Sequence, residues 1–163
     1  MDLLLRAPIT YMPHLKNRFV IEFPTELGIE VWMAISCDTP KLTINPVEMQ
    51  FINTSTWVQG RYTWNQMNIT LRDFIGPSTL QALMGWIRLG VESISGRMGY
   101  AASVAKTLTL SKLDPTGVKV SSWLLENCIP VATIDFGGTH SYTDDGVVEL
   151  SFSFQPQKCI LLF

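Results

Sequence analysis

Polar and apolar positions alternate without interruption from Met67 to Arg72. Met67, Ile69 and Leu71 point one way while Asn68, Thr70 and Arg72 point the other, the period-two signature of a strand with one buried face. The run is prefaced by Gly60-Arg61-Tyr62-Thr63-Trp64 and closed by Asp73, and a strand of this kind needs partners. Other runs supply them. Residues 18–23 set Phe19, Ile21 and Phe23 against Arg18, Val20 and Glu22; residues 30–37 follow across a 24–28 connection, so this pair predicts a hairpin. Residues 41–47 offer Leu42 and Ile44 on one side. In the last third, 106–113 alternates, Asp114-Pro115-Thr116-Gly117 is a turn with Pro at its second position and Gly at its fourth, and 118–125 returns. Residues 130–136 come next, then the polar loop 137–146. The run 147–154 closes the series, with Val148, Leu150, Phe152 and Phe154 inward and Val147, Glu149, Ser151 and Ser153 outward.

One helix interrupts the strands. Ser78 caps it, Gln81 completes a capping box, Pro77 fixes the entry and Gly90 stops it. Leu80, Leu83, Met84 and Ile87 fall on one apolar stripe that belongs to the core, while Trp86 and Leu89 stand off the stripe and are expected to face a second partner. The expected fold is mainly β, an antiparallel β-barrel or sandwich of about eight strands with one α-helix and long loops. A single domain spans 1–163, with an N-terminal arm at 1–17, loops at 45–60 and 91–104 and a C-terminal tail at 155–163. A connection as long as 45–60 is uncommon in a compact domain unless it has a job. Its Phe51 and Trp57 either fold back on the sheet or belong to a docking loop that reaches another subunit.

Composition sharpens this. A chain of 163 residues buries roughly 70% of its unfolded surface, enough for a core without staples. Yet 47% of residues are hydrophobic and 16% charged, with mean hydropathy +0.20, where an ordinary soluble domain carries about 25% charged residues. The longest apolar runs, 82–87 and 159–163, fall far short of the ~20 residues that span a bilayer, and 1–6 has an acid where a secretory signal needs a basic region. Burial between subunits, not membrane insertion, is therefore the expected use of the excess. Net charge is −2, from 12 basic and 14 acidic residues with no basic cluster, which argues against tight nucleic-acid binding. Cys37, Cys128 and Cys159 lack C-x-x-C spacing and read as reduced thiols, or as leaving Cys159 for a disulfide between subunits.

Catalytic chemistry is not indicated. His14 and His140 are the only histidines, and no metal-ligand, phosphate-loop or nucleophile-elbow pattern occurs, so no catalytic residue, metal or cofactor is expected. Asp144-Asp145 near Asp135 reads as a solvated turn. Asn53-Thr54-Ser55 and Asn68-Ile69-Thr70 match the glycosylation pattern by chance.

Four stretches together resemble the tail tube proteins of contractile-tailed bacteriophages: Asn17-Arg18-Phe19-Val20-Ile21-Glu22; Ser36-Cys37-Asp38-Thr39-Pro40 with Val47-Glu48; the 60–73 block with its following helix; and the late series Leu113-Asp114-Pro115-Thr116-Gly117, Trp123-Leu124-Leu125, Cys128-Ile129-Pro130, Ile134-Asp135-Phe136-Gly137 and 147–154. The tail 155–163 departs from that pattern. The resemblance implies a structural subunit of a hexameric ring, with rings stacked into a hollow tube for genome delivery inside a contractile sheath. Its implied partners are other copies of itself, the sheath protein, the tape-measure protein, baseplate tube proteins and, without sequence preference, passing DNA. Its implied location is the virion, after assembly in the host cytoplasm. Asn68, Thr70, Arg72, Glu149, Ser151 and Ser153 are candidates for lining the channel. Leu4, Tyr11, Phe51, Trp57, Arg61 and Trp86 are candidates for contacts between subunits. Alternatives are the related tube protein of type VI secretion, a baseplate protein that initiates the tube, and a β-rich ligand-binding module in which Trp57, Tyr62 and Trp64 form a sugar platform.

Overall fold

The computed structural model describes residues 12–163. Within them the order is β1 (Phe19–Glu22), two 3-10 turns (Thr25–Leu27 and Val31–Met33), β2 (Ala34–Cys37), β3 (Leu42–Gln50), β4 (Ser55–Trp64), β5 (Met67–Arg72), α1 (Thr79–Arg88), α2 (Ala101–Val104), β6 (Lys106–Leu113), β7 (Lys119–Asp135), β8 (Glu149–Gln155) and β9 (Lys158–Leu161). The chain is thus mainly antiparallel β, with nine strands and two helices among the described residues. The main sheet runs β1-β6-β7-β8-β5-β2 with β9 also on β7, and it does not close: β1 and β2 end the path, and β3 and β4 form a separate ribbon.

The period-two run organises the core as its pattern requires. Met67, Ile69 and Leu71 stand opposite Phe154, Phe152 and Leu150, and all six are buried. Helix α1 covers this face. Trp86 packs edge-on against Phe152 with ring centroids 6.0 Å apart, and its indole N–H donates to the Val104 carbonyl at 2.8 Å. Ser78 caps the helix, accepting from the Gln81 N–H at 3.3 Å. Asp73 adds a second anchor, accepting from the Leu80 N–H at 3.1 Å.

The long strand β7 lets one chain serve two halves of the sheet. Its first half pairs with β6 and β9, its second half with β8. Asn127 (φ 52), near the junction of the halves, and Ala132 (φ 59), at the slip in register on β8 between Val131 and Asp135, take left-handed backbone. Such irregularities bend a strand and let it turn a corner.

Four expectations need correction. Residues 18–23 and 30–37 do not form a hairpin: β1 pairs with β6 and β2 with β5, because the intervening 3-10 turns carry the chain between the two ends of the sheet. The stretch 45–60 is not a loop but most of the β3–β4 ribbon, turned at Phe51–Thr54 where the Phe51 N–H donates to the Thr54 carbonyl at 2.7 Å. Residues 118–125 and 130–136 are one strand, Pro130 being accommodated beside the bend. The tail 155–163 is also structured: β9 continues β8 beyond Pro156 and pairs with Trp123 to Glu126.

Candidate assembly surfaces

The outward side of β5 and β8 is one continuous polar face. Asn68 stands opposite Ser153, Thr70 opposite Ser151 and Arg72 opposite Glu149, so the six predicted channel residues are cross-strand neighbours. The Ser153 hydroxyl donates to Asn68 Oδ1 at 2.6 Å, and the Thr70 and Ser151 hydroxyls lie 3.4 Å apart. Two residues that the sequence did not place among the channel candidates, Asp38 and Asp135, extend the face. Asp38 Oδ2 accepts from the backbone and side-chain amides of Asn68 at 3.2 and 3.1 Å, and Asp135 stands opposite Ser151. Three carboxylates, Asp38, Asp135 and Glu149, then share the face with one cation, Arg72. The result is a hydroxyl- and amide-rich wall of mildly negative charge.

The β3–β4 ribbon has a different character. Every residue of β3 is exposed, and so is nearly all of β4. Ile44 faces Tyr62, but Pro46 faces Gln59, so two steps along β3 match three along β4. This bulge shifts the phase of alternation on β4, whereas β3 alternates without interruption. Leu42, Ile44, Tyr62 and Trp57 share one face of the ribbon, and Val47, Met49 and Val58 the other. Ile52 at the tip is fully exposed, and Phe51, Trp57 and Tyr62 are each about 60% exposed (59%, 61% and 64%). A two-stranded ribbon is marginal in water by itself, and large apolar groups left on both faces mark a surface that another molecule covers.

Among the predicted contact residues, Phe51, Trp57 and Arg61 therefore sit on the ribbon, Arg61 at its bulge. Leu4 and Tyr11 lie outside the described residues. Trp86 is a correction: it is 0% exposed, in the core under α1, because the buried helix face runs through Thr79, Leu83 and Trp86. Thr79 can join that face since its hydroxyl donates to the Arg72 carbonyl at 2.7 Å.

At the root of the ribbon lies a groove of about 670 Å³, walled by Tyr62 and Trp64 on one side, by Ala101 and Ala102 on the other, and floored by Ile129 and Pro156. A second cavity, about 640 Å³, occupies the open seam between β1 and β2 and is lined by Lys16, Arg18 and Lys112 together with Asp38. His140 borders a small polar cleft with Asp144, far in sequence from His14 at the seam.

The thiols are unsuited to chemistry. Cys37, Cys128 and Cys159 are free, so Cys159 is a core thiol of β9 and not the surface group that a disulfide between subunits needs. Burial pushes Cys37 and Cys128 up to about 12 and Cys159 to about 11, which keeps all three protonated and poorly nucleophilic. Among the described residues no group of three His, Cys, Asp or Glu side chains could hold a metal, and no helix is long and apolar enough to cross a membrane.

The fold is shared with chains in solved structures of contractile injection systems and with Hcp1. A chain in the cryo-EM structure of the anti-feeding prophage cap, its tube-terminating cap, superposes with a TM-score of 0.72 at 13% identity, covering 99% of this chain and 98% of that one. A chain in the sheath/tube terminator of the PVC extracellular contractile injection system in its extended state gives 0.71 at 13% identity, covering 94% and 99%. Hcp1 from Flavobacterium johnsoniae gives 0.55 at 8% identity, covering 89% and 94%. No family model matches the chain, and no curated protein matches it by sequence.

Proposed function

We propose that this chain is a structural subunit of a hollow tube in a contractile, phage-tail-like particle. Copies associate into rings and rings stack, with the β5–β8 polar face turned to the channel and the β3–β4 ribbon covered by neighbouring copies. The observation that carries this reading is the ribbon itself: apolar side chains exposed on both faces of a two-stranded element call for a partner, and the excess of hydrophobic over charged residues calls for the same. The fold shared with the tube-associated chains supports it. In its finer form the ring is a hexamer inside a sheath in a phage virion, the channel holds a tape-measure protein and then passes DNA, and the tube begins on baseplate proteins. A weakly negative, hydroxyl-rich wall suits such a passage because it neither grips phosphates nor exposes apolar surface to the cargo.

A second reading is a tube-end subunit, favoured by the likeness to the tube-terminating cap and the sheath/tube terminator. Negative-stain imaging of the purified protein separates the two. Long tubes with a central channel support the tube subunit, and isolated rings support the tube end. A monomer that persists at high concentration overturns both.

A further inference from the structure

The tip of the ribbon and the groove at its root are both without charge, yet they lie at opposite ends of the same paired element. Residues 49–60 contain no formal charge and carry Phe51, Ile52 and Trp57 at or near the tip. The groove walled by Tyr62, Trp64, Ala101 and Ala102 is likewise lined without a single charged side chain. The seam cavity, of similar size, is studded with Lys16, Arg18 and Lys112 and is a poor receptor for such a tip. Tyr62, the groove residue nearest the tip, pairs with Ile44, and the six steps from Ile44 to Gln50 at about 3.3 Å each hold the tip roughly 20 Å from the groove of its own chain. A chain therefore cannot fill its own groove while its ribbon stays paired.

We propose that Phe51 and Ile52 at the ribbon tip of one copy insert into the Tyr62–Ala102 groove of a second copy. This rests on the assembly reading above and adds to it the acceptor. The contact is heterologous, since tip and groove are different patches, so it propagates head to tail and closes into a ring or continues along a stack. The alanines of α2 explain the acceptor's shape: their small side chains leave the space that large apolar groups fill. An occupied groove would also cover Tyr62, so the ribbon of the acceptor would be buried at its root by the same event.

The test uses two single-cysteine additions, Ile52→Cys and Ala102→Cys, each in the full chain. The two proteins are mixed, allowed to assemble, and oxidised with copper phenanthroline, with the unaltered protein as the control for its own three free thiols. The expected result is a covalent dimer in the mixture at least tenfold above that in either variant alone. Equal cross-linking in Ile52→Cys alone would mean a tip-to-tip contact and overturn the proposal. So would an uncross-linked mixture in which imaging still shows rings or tubes; the assembly reading would then stand and the acceptor alone would fall. If the unaltered protein remains a monomer, both fall. A second variant, Ala102→Trp, fills an exposed groove without touching the core. It should reduce the assembled fraction at least tenfold with an unchanged melting curve, and undiminished assembly would overturn the proposal.

Discussion

Gly60 on β4 lies directly beneath the Asn45 carbonyl of β3: a β-carbon at Gly60 would meet that oxygen at 2.6 Å and the Val47 Cγ2 at 2.8 Å. The contact falls at the bulge, where an extra residue on β4 shifts that strand's alternation against β3. The glycine is thus required by close backbone approach, which lets β4 carry the extra residue of the bulge.

Gly60→Val should accordingly derange the ribbon while sparing the core, because none of the buried core residues lies on β3 or β4. The expected outcome is loss of rings and tubes in electron micrographs, with a thermal midpoint of the soluble chain within a few degrees of the unaltered protein. A variant that assembles normally would show that the bulge can be rebuilt and is not required.

Two tryptophans should separate folding from assembly. Trp86→Ala removes a fully buried indole and its hydrogen bond to the Val104 carbonyl; large-to-small changes of this kind cost about 3–5 kcal/mol. Trp57→Ala acts on an exposed side chain, so the monomer should keep its stability within about 0.5 kcal/mol while polymerisation weakens. Urea unfolding measures the first effect and sedimentation of assembled material the second. If Trp57→Ala sediments like the unaltered protein, the ribbon's outer half is not an interface.

These residues also show what was legible in the sequence. β5 and β8 could be read because each has one buried and one solvated face, uninterrupted by a bulge, and that reading gave the polar face residue by residue. The start of β3 could be read as a strand over 41–47, but the rest of the ribbon could not, because the bulge breaks the period of β4 and Pro46 and Asn53 look like loop chemistry. Helix α1 was recognised, but its buried face was rotated toward Thr79 and Trp86. Their polar atoms are satisfied by the Arg72 and Val104 carbonyls, partners invisible to a hydropathy stripe. Alternation names a face and never a neighbour, so the β1–β6 and β2–β5 pairings were beyond it. So was the groove, which draws on residues from four separate stretches between Tyr62 and Gln157.

Stability should fall in alkali. The thiols of Cys37, Cys128 and Cys159 ordinarily titrate near 9.0 and are raised by burial to about 12, 12 and 11. Above pH 9 the unfolded chain loses these protons first, so the folded state binds more protons and is destabilised as pH rises. The contribution is intact below pH 9 and is lost progressively toward pH 12. Urea midpoints measured from pH 8 to 11 should decline, and decline less steeply in Cys128→Ala, which removes one of the titrating groups. Identical slopes would show that the Cys128 thiol is not held neutral by its burial.

The orientation of the polar face can be read by access. Ser151 is exposed and central on that face, opposite Thr70 on one side and Asp135 on the other, so Ser151→Cys should fold normally and leave the ribbon untouched. In assembled tubes a face turned to the channel is reached by a small maleimide diffusing in from the ends. A maleimide carried on a bulky polymer cannot follow. The expected result is labelling of Ser151→Cys by the small reagent and at least tenfold less by the large one, with both reagents equally effective on tubes dissociated before labelling. Trp57→Cys would serve poorly as the comparison, since it lies on the ribbon that the proposed assembly covers. Tyr142→Cys is suitable instead, since Tyr142 is fully exposed in the 137–146 loop. Equal labelling of Ser151→Cys by the two reagents in intact tubes would place the face outside the channel, and the negative charge of Asp38, Asp135 and Glu149 would then have to be explained by contact with an outer partner.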